Sequence, residues 1–284
     1  MKLLALVVGA GGQLGEAMRA QLGAEHELAS FSRRDLDVSS VSAVRDAVQS
    51  VCPDVIINCA AYTNVDAAER EPERAFAANA WGVRALARAA AEIDAVLVHF
   101  STDFVFDGVT DRPYLESDVP NPRGAYAVSK LLGEWMAVDA PRHYVLRVES
   151  LFGGPHARSS VDKILDGILA GTGVRAFSDR TVSPSYVEDV VGATSALLTA
   201  RAPFGLYHCV NTGWTTWAGL ARELAAIVNR PGAPIAEVPM ADAGLAAPRP
   251  KFAALSNAKL AEAGITMPTW QDALRRYVAM RSSV

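Results

Sequence analysis

Leu3-Leu4-Ala5-Leu6-Val7-Val8-Gly9-Ala10-Gly11-Gly12-Gln13-Leu14-Gly15 decides how the chain folds. Its six leading apolar residues, without polar alternation, read as a strand buried on both faces. Glycines follow, and the apolar spacing of 14–22 predicts a helix opening directly behind them. A helix start carries unpaired N–H groups and a partial positive charge, and glycines let an anion reach the backbone, so this turn suits a diphosphate. The glycines fit GxxGxxG through Gly9, Gly12 and Gly15, whereas GxGxxG from Gly9 and Gly11 meets Leu14 at its third position. Met1-Lys2 before an apolar run has the first parts of an export signal. The run is too short for one and no A-x-A site follows, so it reads as the first strand of an unexported protein.

Further strands are expected at Glu27–Phe31, Val55–Asn58, Val96–Ser101, Tyr144–Val148 and near Leu206–Val210, with helices at Val41–Val51, Glu73–Glu92 and Tyr126–Ala137. Apolar strands alternating with helix-length segments predict a doubly wound α/β domain with a parallel sheet, the Rossmann architecture. We expect this cofactor domain over 1–150 plus the returning strand, with 151–284 mainly a smaller substrate-binding lobe. That lobe should hold helices at Val161–Ala170 and Trp270–Met280, and a long loop over Pro231–Pro250, where five of the 15 prolines fall.

The 284 residues allow one or two domains at about 150 residues each. With 27 Lys and Arg against 31 Asp and Glu, no basic surplus exists to displace counterions, so no nucleic-acid partner is expected. No apolar stretch approaches the ~18–20 residues of a membrane helix, so no membrane partner is expected either. Cys52, Cys59 and Cys209 lie far apart without a CxxC pair and read as reduced core thiols of a cytoplasmic protein.

Cofactor choice should show at the end of the second strand, where Phe31-Ser32-Arg33-Arg34 offers hydroxyl and guanidinium donors and no acid. These donors suit a 2′-phosphate, so NADPH is expected, with NADH as the lesser alternative. Asp37-Val38 matches the short pair that such folds aim at the adenine. In Tyr126-Ala127-Val128-Ser129-Lys130, Tyr and Lys share a helix face one turn apart. An ammonium beside a phenol favours the phenolate, and such a Tyr can protonate a carbonyl oxygen as hydride reaches the carbon. The run His99-Phe100-Ser101-Thr102-Asp103-Phe104 ends the fourth strand, where α/β enzymes hold catalytic groups. Ser101 and Thr102 both qualify to orient a carbonyl, while His99 reads as a core histidine.

These residues resemble the dTDP-4-dehydrorhamnose reductases of the extended short-chain dehydrogenase/reductase group. The resemblance runs through the glycine turn, Pro53–Asp66, Ala68-Glu69, Asn79, Ser101–Gly108, Tyr126–Lys130, Gly205–His208, Arg249-Pro250 and Leu255–Leu260. It implies NADPH-dependent reduction of the C4 ketone of a nucleotide-linked 4-keto-6-deoxy sugar, with Thr102, Tyr126 and Lys130 catalytic. It puts Gln13 and Leu14 on the pyrophosphate, Ala60, Ala61 and Tyr62 on the nicotinamide side, and Thr63, Val65 and Asp103 on the substrate side. It is compatible with a homodimer and leaves a Mg²⁺ requirement open, with no metal ligand assigned.

Two departures bear on the sugar. Phe104 stands where the family usually has Tyr, and Arg147-Val148-Glu149-Ser150 replaces its RTSW-type segment, placing a carboxylate near the cleft. Phe104, Glu149 and Ser150 therefore join the substrate-side candidates. Another nucleotide-sugar enzyme is the main alternative. Dehydratases, however, place an Asp-Glu pair beside the hydroxyl, and epimerases favour an acid after the second strand. A non-catalytic NADP-binding subunit, like that of methionine adenosyltransferase, is the other.

Overall fold

The computed structural model describes residues 2–156 and 159–282. β1 (Leu4–Val8) runs through the glycine turn into α1 (Gln13–Leu22), followed by β2 (Glu27–Phe31), α2 (Val41–Val51) and β3 (Val55–Asn58). Next come α3 (Val65–Ala68), α4 (Pro72–Phe76), a π turn over Ala77–Trp81, and α5 (Gly82–Glu92). β4 (Val96–Thr102), α6 (Ala125–Ala137) and β5 (His143–Val148) complete the first half. The second half contains β6 (Leu151–Phe152), α7 (Ser160–Ala170), β7 (Val174–Phe177), β8 (Thr181–Val182), β9 (Ser185–Tyr186) and α8 (Val187–Ala200). It closes with β10 (Gly205–His208), β11 (Thr215–Thr216), α9 (Trp217–Ile227), β12 (Ile235–Val238), α10 (Ala258–Glu262) and α11 (Trp270–Ser282).

Six parallel strands form the main sheet in the order β2-β1-β3-β4-β5-β10. The order reverses between β1 and β3, and a crevice opens at the carboxyl ends of strands at such a point. Successive side chains leave a strand on opposite faces. Leu6, Val8, Ile56, Leu97 and Val145 accordingly pack on Val44, Val48 and Leu86 of α2 and α5. Val7, Ile57, Val98 and Leu146 face Met18 of α1 and Val190 and Leu197 of α8. Each fully buried Val, Leu or Ile contributes about 1.5–3 kcal/mol, so both faces anchor the sheet.

A second core joins α7, α9 and α11 through Leu165, Leu220, Leu224, Trp270 and Tyr277. The chain enters it at Phe152 and leaves after Tyr186, since α8 packs on α1 and Leu260 of α10 also belongs to the first core. The chain thus passes between the two cores more than once.

Differences from the expected elements have local causes. The helix expected over Glu73–Glu92 is interrupted by the π turn at Ala77–Trp81. The proline-rich 231–250 segment contains β12, paired in parallel with β7. Pro234 and Pro239 flank that strand, so neither missing N–H interrupts its ladder. Cys52 is exposed in the left-handed position ending α2, not in the core; Cys59 is half-buried and Cys209 buried. Among the described residues, no helix is long and apolar enough to cross a membrane.

Candidate active site

The glycine turn is shaped by contact distances. Gly9 has φ +77° and a Cβ there would stand 2.5 Å from Ala60 N, while one on Gly15 would stand 2.3 Å from Gly9 O. No side chain caps α1, whose N-cap is Gly12. Its first N–H groups therefore lack the partners that a helix start requires. The N-cap Gly12 borders a cavity of about 740 Å³ also lined by Gly9, Gly11, Ser32–Arg34, Asp37, Val38 and Ala60–Tyr62. Orphan donors beside a glycine-walled cavity fit a dinucleotide diphosphate.

Within that frame, Leu14 is buried in the first core, leaving only its backbone for an anion, and the Gln13 amide donates to Gly153 O at 2.9 Å. Ser32 Oγ donates to Asp35 at 2.6 Å and Arg34 N donates to Ser32 Oγ. An acid therefore stands directly beyond Ser32–Arg34, contrary to the expectation of donors alone. Hydrogen bonds from Ser32 hold its carboxyl below the usual range. Asp37 is exposed and accepts from Ser39, whereas Val38 packs against α5 near Gly82.

Thr102, Tyr126 and Lys130 come together where β4 meets α6, and all three are buried. Thr102 Oγ1 donates to Asp103 Oδ1 at 2.9 Å and accepts from Phe104 N at 3.3 Å. Ser101, the other candidate, donates instead to Glu134 at 2.5 Å. The expected pull of Lys130 on Tyr126 is absent. The Lys130 ammonium donates to the Phe100 carbonyl, and burial pushes the phenol up, with the Asp103 charge adding to the rise and Thr102 opposing it. Burial brings Lys130 down to about 8, against the charge of Glu134. Tyr126 therefore rests as a phenol, the form that can donate. His99 Nδ1 meets Asn58 at 3.1 Å, while its Nε2 has no partner among the described residues; burial holds the ring neutral.

Tyr62, Val65 and Phe104 pack around Tyr126, and the Phe104 ring meets it edge-on at 5.4 Å. Thr63 is exposed just before α3. Asp103 and Glu149 are buried, and burial pushes Asp103 up to about 6 and Glu149 well above the usual range. Ser150 sits beside Glu149 with φ +47°.

Four supporting residues carry no site role in the sequence reading. Asn79, presented by the π turn, accepts from Tyr62 N at 2.8 Å and donates to Ser129 Oγ at 2.9 Å, joining the loop after β3 to α6. Glu69 accepts from Ala125 N at 2.7 Å and caps α6 across the fold. Glu134 binds Arg147 through both oxygens at 2.8 and 2.7 Å. Arg180 lies 5.2 Å over the Phe104 ring and 3.9 Å from Asp103 Oδ2. The i, i+4 spacing of Lys130 and Glu134 was a readable signal; the others depend on tertiary contacts.

Comparison with known proteins places the chain among relatives that match over nearly its whole length. The spore coat polysaccharide biosynthesis protein SpsK of Bacillus subtilis is 34% identical over 283 residues, covering 98% of each chain. dTDP-4-dehydrorhamnose reductase of Mycolicibacterium smegmatis is 36% identical over 279 residues, covering 96% of this chain and 84% of that one. The crystal structure of dTDP-4-dehydrorhamnose reductase from Bacillus anthracis in complex with NADP superposes with a TM-score of 0.92 at 31% identity, covering 99% of this chain and 100% of that one. The family model described as the RmlD substrate binding domain matches residues 1–282, and the chain belongs to that family.

Proposed function

We propose that the chain reduces the C4 ketone of a nucleotide-linked 4-keto-6-deoxy sugar with NADPH, converting dTDP-4-dehydrorhamnose to dTDP-rhamnose. The observation that carries this reading is the buried set of Thr102, Tyr126 and Lys130 gathered where β4 meets α6. Family membership and the relatives named as reductases support it.

Gly9, Gly12, Gly15 and the N–H groups of Gln13 and Leu14 would cradle the diphosphate, and Arg33, Arg34 and Ser32 the ribose phosphate. Asp37 and Val38 would border the adenine, and Ala60, Ala61 and Tyr62 the nicotinamide. Bound NADPH supplies the hydride for the carbonyl carbon. Thr102 orients the carbonyl oxygen, and Tyr126 gives that oxygen its proton, neutralising the alkoxide as it forms. Lys130, buried and cationic near neutral pH, would bond the nicotinamide ribose. Thr63, Val65, Asp103, Phe104, Glu149 and Ser150 would line the sugar side. The deciding experiment follows NADPH oxidation with a panel of nucleotide 4-keto-6-deoxy sugars and determines product stereochemistry. Oxidation of NADPH with dTDP-4-dehydrorhamnose and formation of dTDP-rhamnose is expected; no turnover with any member would overturn the reading.

A further inference from the structure

Asp103, Glu149 and Arg180 are 2%, 1% and 9% exposed, and each keeps one buried polar atom without a hydrogen-bond partner among the described residues. These atoms are Asp103 Oδ2, Glu149 Oε1 and Arg180 Nε. The other oxygen of each carboxyl group is engaged. Asp103 Oδ1 accepts from Thr102, and Glu149 Oε2 accepts from Ser183 N at 2.7 Å. Arg180 Nη2 reaches Asp103 Oδ2 only at 3.9 Å, an ion contact too long for a hydrogen bond. Buried charges are normally paired and hydrogen-bonded, because leaving them unmatched is costly. Three incomplete groups in one cluster, a single residue from Thr102, describe a surface finished by something else.

The atoms specify what that is. Asp103 Oδ2 accepts, Arg180 Nε–H donates, and the Glu149 carboxyl can do either according to its proton. Burial raises both acids, so the cluster retains a proton and two acids beside one guanidinium come close to neutral. A neutral group that both donates and accepts matches this set, which is the chemistry of a hydroxyl. A charged substituent would upset the balance.

We propose that Asp103, Glu149 and Arg180 form a subsite that binds ring hydroxyls of the substrate's sugar, and that Arg180 is its specificity-determining residue. The proposal rests on the reading of the chain as a nucleotide-sugar reductase and names the part of that site that selects the sugar. Arg180 follows β7 and Glu149 follows β5, so the subsite forms where the second core meets the main sheet.

Calorimetric titration tests it without requiring turnover. dTDP-rhamnose is compared with dTDP, and UDP-glucose with UDP, on wild type, Arg180→Met and Glu149→Gln, each checked for NADPH binding by fluorescence. The expected result is that, for at least one pair, the sugar tightens wild-type binding by about tenfold or more and Arg180→Met brings the ratio near one. Glu149→Gln should lower it partway, while free nucleotide and NADPH bind within about twofold of wild type. A sugar increment equal in wild type and Arg180→Met, or absent from wild type for every pair, overturns the subsite. Loss of free-nucleotide and NADPH binding in step with the sugar would show a structural role and overturn it equally. If wild type reduces no 4-keto sugar yet shows a sugar increment that Arg180→Met abolishes, the reductase reading fails and the subsite stands.

Discussion

Two buried clusters of carboxylate and guanidinium lie side by side at the carboxyl ends of β4 and β5, and they differ in completeness. In the first, Glu134 accepts from Ser101 Oγ and, through both oxygens, from Arg147. Arg147 also meets His208 Nε2 at 3.3 Å, and His208 Nδ1 meets the Ser256 carbonyl at 3.1 Å. In the second, Asp103, Glu149 and Arg180 each retain an unmatched atom. The period of the strand sorts them. Ser101 pairs in register with Arg147, and the next residue, Thr102, leaves β4 on the opposite side. A closed network fixes architecture, whereas an open one beside a proton donor is a place for a ligand.

The largest expected effect lies on the open side. Tyr126→Phe should lower turnover by ~10²–10⁴-fold while leaving NADPH affinity and the urea midpoint near wild type. Near-normal turnover would remove Tyr126 from the chemistry and erase the functional contrast between the clusters.

Stability should show the reverse ranking. Arg147→Met leaves Glu134 buried without its two-pronged partner and should cost about 3–5 kcal/mol in urea unfolding. Arg180→Met removes a contact of 3.9 Å between groups already short of partners, and Asp103 can protonate; its cost should be less than half as large. Equal losses would break the comparison.

Farther along the crevice, Arg33 and Arg34 are exposed and belong to neither cluster. Changing both to Ala should weaken NADPH by about 10–100-fold and NADH by less than about threefold, as expected for lost charge-assisted bonds to one phosphate. Equal weakening of the two cofactors would leave the 2′-phosphate unread by these residues.

The sequence carried the sheet because β1, β3, β4 and β5 are apolar runs and the glycine turn has one workable geometry. α8 was harder: Val187, Val190, Val191 and Thr194 are β-branched, and Gly192 interrupts the run, yet packing on α1 makes it a 14-residue helix. Tyr126, Lys130 and the Ser101/Thr102 pair were legible as motifs, although only the structure shows Ser101 turned toward Glu134. The stretch from Arg180 to Val190 resembles the substrate-lobe strip of extended reductases and epimerases, but Arg180 itself carried no individual site role. Its role depends on Asp103, 77 positions away (180 − 103), and nothing local marks that meeting.

The smallest effect is a difference of sign with pH. His208 is buried with Nε2 facing Arg147 and Nδ1 on Ser256, while Asp118 acts on it weakly; burial and the Arg147 charge bring it down to about 3. Its folded value is depressed, so its stabilisation is present above about 6.5 and is lost as pH falls toward 3. Glu149, faced by Asp103, Arg180 and the Ser183 amide, is raised by burial. Its stabilisation is present below the ordinary carboxylate range and is lost as pH rises through the elevated folded value. Between pH 6.5 and 5 the two contributions oppose one another, that of His208 by about 1–2 kcal/mol, since one pKa unit is worth about 1.4 kcal/mol. Urea midpoints at those two pH values should therefore move in opposite directions in two variants. His208→Gln should reduce the loss of stability on acidification, and Glu149→Gln should increase it. If both variants shift the pH dependence in the same direction, the clusters do not hold opposite protonation states, and the division into a closed neutral-histidine network and an open proton-holding subsite fails.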